Sequence, residues 1–273
     1  MGRAKEIIVK VIPAKIANEF VKKHHYSGKV VNTSKIHFGC FLDNKLHGVL
    51  SYGDSMMKRK TIHLVEKDNK PVAWNDYLEL NRMAFDDYLP KNSESRCIAI
   101  SIKLIKKNAP NIKWVLSYSD ASLCGDGTIY RASGFYLTQI RPTKEMWIMP
   151  NGEVIFEFAA DIKYKLENNG RCNGGDVLSK KGGRRVENGY QNRYIYLIDK
   201  TCKITVPVLP FSKIDEMGAG MYKGKKVSLQ ERKQHAAIAH LGEHSVTCRE
   251  GAFDSTVPLK LQRNNSECRI LKT

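Results

Sequence analysis

Over its first 160 residues the chain alternates runs of helix period with runs of strand period. That alternation restricts it to an α/β sheet covered by helices. Residues 6–12 read as a strand. Residues 14–23 read as a helix after Pro13, with Ile16, Phe20 and Val21 at helical spacing. Residues 36–42 and 46–52 are β-rich runs, and Asp43-Asn44 near their junction is a tight-turn signal, so they form a hairpin. Residues 77–85 read as a strand. Ser93 is placed to cap a helix whose apolar face carries Ile98, Ile102 and Ile105 and which stops at Asn108-Ala109-Pro110. A buried strand at 114–119, a short helix at 128–132 and strands at 135–140 and 145–149 complete the run. The fold class expected is a mixed central β-sheet flanked by helices.

Beyond Phe158 the pattern decays. Asn168-Asn169-Gly170 and Asn173-Gly174-Gly175 are loop signals, and residues 180–185 form a basic, flexible run. Short strands are expected at 194–197 and 203–208. The division expected is a catalytic domain at 1–160, a basic C-terminal extension at 161–235 and a tail at 236–273. The tail shows no periodicity. Codons can be chosen for Ala236 to Leu259, 24 in all, that pair like the stems of a transfer RNA gene. One reading is therefore that the frame runs into such a gene; the other is an ordinary helix at 231–240.

Composition narrows the partners. The 273 residues hold 45 Lys and Arg against 28 Asp and Glu, a net charge of +17. Residues 1–160 carry 24 basic and 16 acidic side chains (+8), and residues 161–273 carry 21 and 12 (+9), so the charge is no detachable tail. A polyanion, nucleic acid above all, is the expected partner. An apolar share of 42% is too high for a disordered chain. No apolar run is long enough to span a bilayer, and the first ten residues lack a signal-peptide core, so a soluble cytoplasmic protein is expected. Seven cysteines without a CxxC pair suggest a reducing compartment.

Four clusters could carry chemistry. They are His24-His25-Tyr26-Ser27 at the end of the first helix, Glu79-Leu80-Asn81-Arg82 on a central strand, Asn92-Ser93-Glu94-Ser95-Arg96 at a helix N-terminus, and Ser117-Tyr118-Ser119-Asp120 at a strand end. Ligands of open α/β sheets gather at strand ends and helix N-termini, so the four could converge on one crevice. Plain alternatives stand beside each: a solvated helix end for the histidines, an ion pair with Glu79 or Glu94 for Arg82, a cap for Ser93 or Asp120, half-buried core for Tyr130. Lys180, Lys181, Arg184 and Arg185 are the candidate DNA contacts of the extension.

Residues 127–135, Gly-Thr-Ile-Tyr-Arg-Ala-Ser-Gly-Phe, resemble the last core motif of GNAT acyltransferases, where a Tyr precedes a Gly-Phe strand. More narrowly, His25-Tyr26-Ser27, residues 48–53 and 79–83, Asn92 to Arg96 and Ser117 to Asp120 resemble the Mom family of phage DNA-modification proteins. The resemblance covers roughly residues 14–158. It implies a GNAT-like fold and the conversion of adenine in double-stranded DNA to N6-carbamoylmethyladenine, which protects phage DNA from restriction inside the host cell. It implies Arg82, Ser95, Asp120 and Tyr130 as functional residues, with Tyr26 and His25 a further pair. Iron is associated with the family, and His25 is the position that would face it. The GNAT loop of basic residue and spaced glycines that grips a coenzyme A pyrophosphate is replaced by Asn92 to Arg96 without a glycine, so Asn92, Ser93 and Arg96 are the candidate donor-binding residues. The donor stays open between an acyl-CoA and a glycyl donor such as glycyl-tRNA, which would make tRNA a partner. Two other functions remain open: a non-catalytic basic DNA-binding protein, and a coenzyme A-dependent N-acyltransferase acting on another substrate.

Overall fold

The computed structural model describes residues 3–231 except 144, 145, 166–169, 171, 172, 188, 223 and 229. The tail at 236–273, its two readings included, lies outside the described residues. In chain order the elements are β1 (Ile8–Val11), α1 (Ala14–His24), β2 (Ser34–Leu42), β3 (Lys45–Gly53), α2 (Lys58–Thr61), β4 (Val65–Lys67), β5 (Lys70–Pro71), β6 (Tyr77–Phe85), α3 (Ser93–Asn108), β7 (Trp114–Asp120), α4 (Thr128–Ala132) and β8 (Tyr136–Thr143). They continue with β9 (Met146–Ile148), β10 (Val154–Phe156), α5 (Glu157–Tyr164), α6 (Gly174–Lys180), β11 (Arg184–Arg185), β12 (Gly189–Leu197), β13 (Lys203–Ile204), α7 (Ser212–Glu216), β14 (Met221–Tyr222) and β15 (Lys225–Lys226).

Two compact units form. The first takes Met1–Asp120, Gly127–Pro142 and Tyr190–Phe211. The second takes Ala121–Asp126, Thr143–Gly189 and, among the described residues, those from Ser212 to Glu231. No single cut at residue 160 separates them, because β12 returns to the large sheet.

That sheet has seven strands in the order β1-β2-β3-β6-β7-β12-β8. It is mixed: β6 and β7 are parallel, while β1–β2, β2–β3, β3–β6 and β7–β12 are antiparallel. The hairpin turns at Asp43 and Asn44, whose φ values of 50° and 58° give the left-handed pair that matches strand twist. Helix α1 covers one face: Ala17 and Val21 pack with Val49 and Ala84. Helix α3 covers the other, where the Tyr52 hydroxyl meets Ser101 Oγ at 2.6 Å. Val49 and Tyr52 point to opposite faces because they differ in parity along β3. The expected class, a mixed sheet flanked by helices, is the one found.

Several local expectations change. Asn92, not Ser93, is the cap of α3, in a left-handed conformation (φ 69°), and its side chain makes no capping bond. Ser93 is the first helical residue; its hydroxyl turns back to the Pro90 carbonyl. The strand expected at 194–197 is the end of the longer β12.

In the second unit, residues 180–185 are not a flexible run. Lys180 ends α6, which Asn173 caps by accepting the Asp176 N–H at 3.3 Å, and Arg184 and Arg185 pair with β9. Ala160, Tyr164 and Leu178 form a small core there with Trp147 and Ile155.

Candidate functional site

The parallel pairing of β6 with β7 runs only from Tyr77–Trp114 to Glu79–Leu116. Past that point both strands continue without pairing to each other, β6 to Phe85 and β7 to Asp120. The opening lies at the carboxyl ends of parallel strands, where α/β sheets take ligands.

A bulge decides which side chains face it. In the β3–β6 ladder Tyr52 opposes Leu80 but Ser51 opposes Arg82, so Asn81 is an extra residue. In a regular strand Glu79 and Arg82, three positions apart, would face opposite sides. The extra residue resets the alternation and turns Arg82 to the α1 face beside Glu79. The two then influence each other's charge. Tyr118 and Asp120, two apart on β7, share one face as the period of two requires.

Arg82 is held by its backbone neighbours. Its Nε donates to the Lys29 carbonyl at 2.8 Å and its Nη1 to the Asn81 carbonyl at 2.8 Å. Burial presses the guanidinium toward losing its charge, and Tyr26, Glu79 and Tyr130 oppose that. The chain leaving α1 brings Tyr26 over the same region, where its hydroxyl donates to Asp120 Oδ2 at 3.3 Å. His25 precedes it. The Ser27 N–H donates to His25 Nδ1 at 3.1 Å, so that nitrogen is the acceptor of a neutral ring and Nε2 carries the hydrogen. Burial first and the Arg82 charge second push the His25 imidazole down to about 3. Tyr130 is buried, tilted against Phe135 and Tyr194 with ring centroids at 5.4 and 5.2 Å. Gly127 makes room for that packing: its φ is +93°, and a Cβ there would collide with the Tyr194 ring.

Three more groups complete the site. Burial raises the Glu79 carboxyl, against hydrogen bonds from Ser55 and Asn81 and the Arg82 charge. Burial and Glu79 raise the Tyr118 phenol to about 12. Within the clusters read from sequence Glu79 stood only as an alternative ion-pair partner of Arg82 and Tyr118 had no role, and Ser55 carried no signal. The period of two from Asp120 points to Tyr118; nothing in the sequence announces the bulge that brings Glu79 beside Arg82.

Among the candidates, then, His25, Tyr26, Arg82, Asp120 and Tyr130 converge. The first turn of α3 makes bonds of its own. Ser95 Oγ donates to the Asn92 carbonyl at 3.2 Å, and Arg96 Nη2 to the Lys5 carbonyl at 3.0 Å. The Ser93 N–H is directed at the Pro90 carbonyl, so it is not open to a ligand. In the second unit Lys181 lies 4.9 Å over the Tyr164 ring and Arg185 pairs with Glu157 at 3.2 Å, while Lys180 and Arg184 are exposed.

His25 does not sit in a donor set suited to iron. Its Nδ1 is engaged with Ser27, and no group of three His, Cys, Asp or Glu side chains comes together for a metal among the described residues. Nor is any helix among them long and apolar enough to cross a membrane.

Solved structures similar to this chain include an IAA acetyltransferase from Bacillus cereus (TM-score 0.40, 11% identity, 70% of this chain and 99% of that one). A GNAT family acetyltransferase from Elizabethkingia anophelis with acetyl-CoA bound is another (TM-score 0.40, 13% identity, 70% and 97%). Among curated proteins, the methylcarbamoylase mom of Escherichia phage Mu is 37% identical over 133 residues. That stretch is 48% of this chain and 53% of the relative, so the chain spans about half the length of the relative it matches. A family model runs from residue 6 to residue 213, taking in every strand of the large sheet and all five converging side chains. It is the model of the Mom protein family, and the chain belongs to that family.

Proposed function

We propose that the protein is a transferase that modifies the exocyclic N6 of adenine in double-stranded DNA. The product is N6-carbamoylmethyladenine, made in the bacterial host cell, where it shields phage DNA from restriction. The observation that carries this reading is the convergence of Tyr26, Arg82 and Asp120 at the open strand ends of a +17 protein of the Mom family.

Adenine N6 is a poor nucleophile, because its lone pair is delocalised into the ring, and it lies inside the stack. The base must leave the helix, at a cost of a few kcal/mol. Asp120, oriented by the Tyr26 hydroxyl, accepts a hydrogen from N6 as the amine attacks. Arg82, with two donors fixed on backbone carbonyls, presents its remaining edge to the developing oxyanion. Tyr130 supplies a proton to the leaving group. Ser95, Asn92 and Arg96 lie at the N-terminus of α3, an end suited to an anionic donor.

A glycyl donor gives the product without an oxidant. N6 attacks the activated carbonyl, the N–C bond forms, and the carrier leaves with one proton. The free glycyl amine then attacks ring C6 and the old C6–N6 bond breaks. The glycine nitrogen becomes the new N6, and the old N6 becomes the carboxamide nitrogen. The exposed Lys180 and Arg184, with Lys181 and Arg185, would hold the DNA backbone.

Nucleoside mass spectrometry of DNA from cells expressing the protein and fed labelled glycine tests the reading. Labelled carbamoylmethyladenine is expected, and its loss in Asp120→Asn. DNA with an unmodified adenine pool overturns the adenine reading; modified adenine without label overturns the glycyl donor alone.

A further inference from the structure

We propose that residues 54–60 form a wedge that enters duplex DNA beside the adenine being extruded, with Met56 and Met57 taking the space of the departing base. The proposal rests on the reading of function above. This segment, the turn after β3 and the start of α2, has side chains that divide sharply. Ser55 and Lys58 are buried at 6% exposure each, whereas Met56 is 73% and Met57 53% exposed. Arg59 and Lys60 are exposed as well. Two apolar side chains standing in water are thus followed closely by two cations.

The base of the segment is firmly tied. Lys58 pairs with Asp54, which also pairs with Lys35. The Asp54 N–H donates to the Thr33 carbonyl at 3.1 Å, and the Thr61 hydroxyl meets the Tyr77 hydroxyl at 2.7 Å. The Lys58 ammonium lies 5.1 Å over the ring of Trp74, itself 44% exposed. Ser55 is bonded to Glu79, and Glu79 shares the α1 face with Arg82. The methionines therefore directly follow a residue that touches the candidate site.

Duplex DNA is the occupant this surface fits. Methionine is among the apolar side chains that proteins insert between base steps, where it holds an unstacked site open. Arg59 and Lys60 supply the charge that a phosphate backbone flanking such a step needs. The anchored base gives the tip the stiffness that unstacking demands.

The test compares binding of the full-length protein to a short duplex, fully paired or carrying one A·A mismatch. A mismatch has already lost part of its stacking, so a protein that opens the helix binds it more tightly, here by about tenfold. In Met56→Ser/Met57→Ser the ratio is expected to fall to about one, while Met56→Leu/Met57→Leu, apolar and of similar size, keeps the wild-type ratio. Arg59→Ala/Lys60→Ala is expected to lower the salt slope and leave the ratio in place. An unchanged ratio in the serine variant overturns the proposal and returns the methionines to a protein contact; so does a wild-type ratio near one. Modified adenine in DNA from cells expressing the wild type is scored separately. With it present, a failed ratio removes the wedge only; without it, the functional reading fails.

Discussion

The Tyr26 hydroxyl donates to the Asp120 carboxylate at 3.3 Å, although the two residues stand 94 positions apart. The bond ties the chain leaving α1 to the open end of β7, and Tyr26 also acts on the charge of Arg82. Tyr26→Phe keeps the ring and removes the bond, so it should lower adenine modification while leaving the protein folded. Asp120→Asn keeps an oxygen for the Tyr26 hydroxyl but removes the base, and should cost about 10²–10⁴ in rate. Modified nucleoside per total adenine, against the thermal midpoint of each variant, checks both.

His25 gives a pH dependence of stability. Its native value lies near 3, below the ordinary imidazole value of 6.5, so the unfolded chain binds the proton more readily. The contribution is complete above about pH 6.5 and is lost as pH falls toward 3, by at most about 1.4 kcal/mol per pH unit. Urea unfolding at pH 7 and pH 5 should show a smaller drop for His25→Gln than for the wild type.

The raised Glu79 carboxyl works in the opposite sense. Its native value lies above the unfolded one, so its penalty is absent below the ordinary carboxylate range and grows as pH rises past it. Glu79→Gln should therefore be as stable as the wild type or more so at pH 7, with reduced modification of DNA. Denaturant midpoints at pH 4 and pH 7 test the sign.

Gly127→Ala meets two obstacles together, a φ of +93° and the Tyr194 ring. A loss of at least about 2 kcal/mol is expected, with disturbed packing at Tyr130. Denaturant unfolding, with near-ultraviolet dichroism for the tyrosines, reads both.

Lys181 and Arg185 are already engaged by Tyr164 and Glu157. Of the four basic residues in that stretch, Lys180 and Arg184 should then do most to hold the phosphates. Lys180→Ala/Arg184→Ala is expected to reduce the slope of log affinity against log salt by about 0.9 for each phosphate no longer neutralised. Titrations at several salt concentrations give the slope directly.

Much of the large sheet was legible because its signals are local. Residues 77–85 and 128–132 match β6 and α4 in both bounds, and Asp43-Asn44 supplied the left-handed turn of the hairpin. Two things were not local. The bulge at Asn81 depends on register with β3, so the shared face of Glu79 and Arg82, a neighbour offered from the sequence only as a plain ion-pair alternative, has no basis in their spacing. The cap of α3 depends on the turn at Pro90, which takes the Ser93 hydroxyl and leaves Asn92 to start the helix. In the second unit α6 begins with Gly174-Gly175, residues that read as loop, because the Asn173 cap and burial of Leu178 outweigh their poor helix propensity.

Strand β12 lies between β7 and β8 in the large sheet, yet it is made from Gly189–Leu197, long after its neighbours. On the ribosome β7 therefore waits, with one edge unpaired, while some seventy residues more are translated. A fragment stopped near residue 160 would present that edge to other copies of itself and aggregate rather than act as a smaller enzyme. Shortening from the carboxyl side thus has a floor at Leu197.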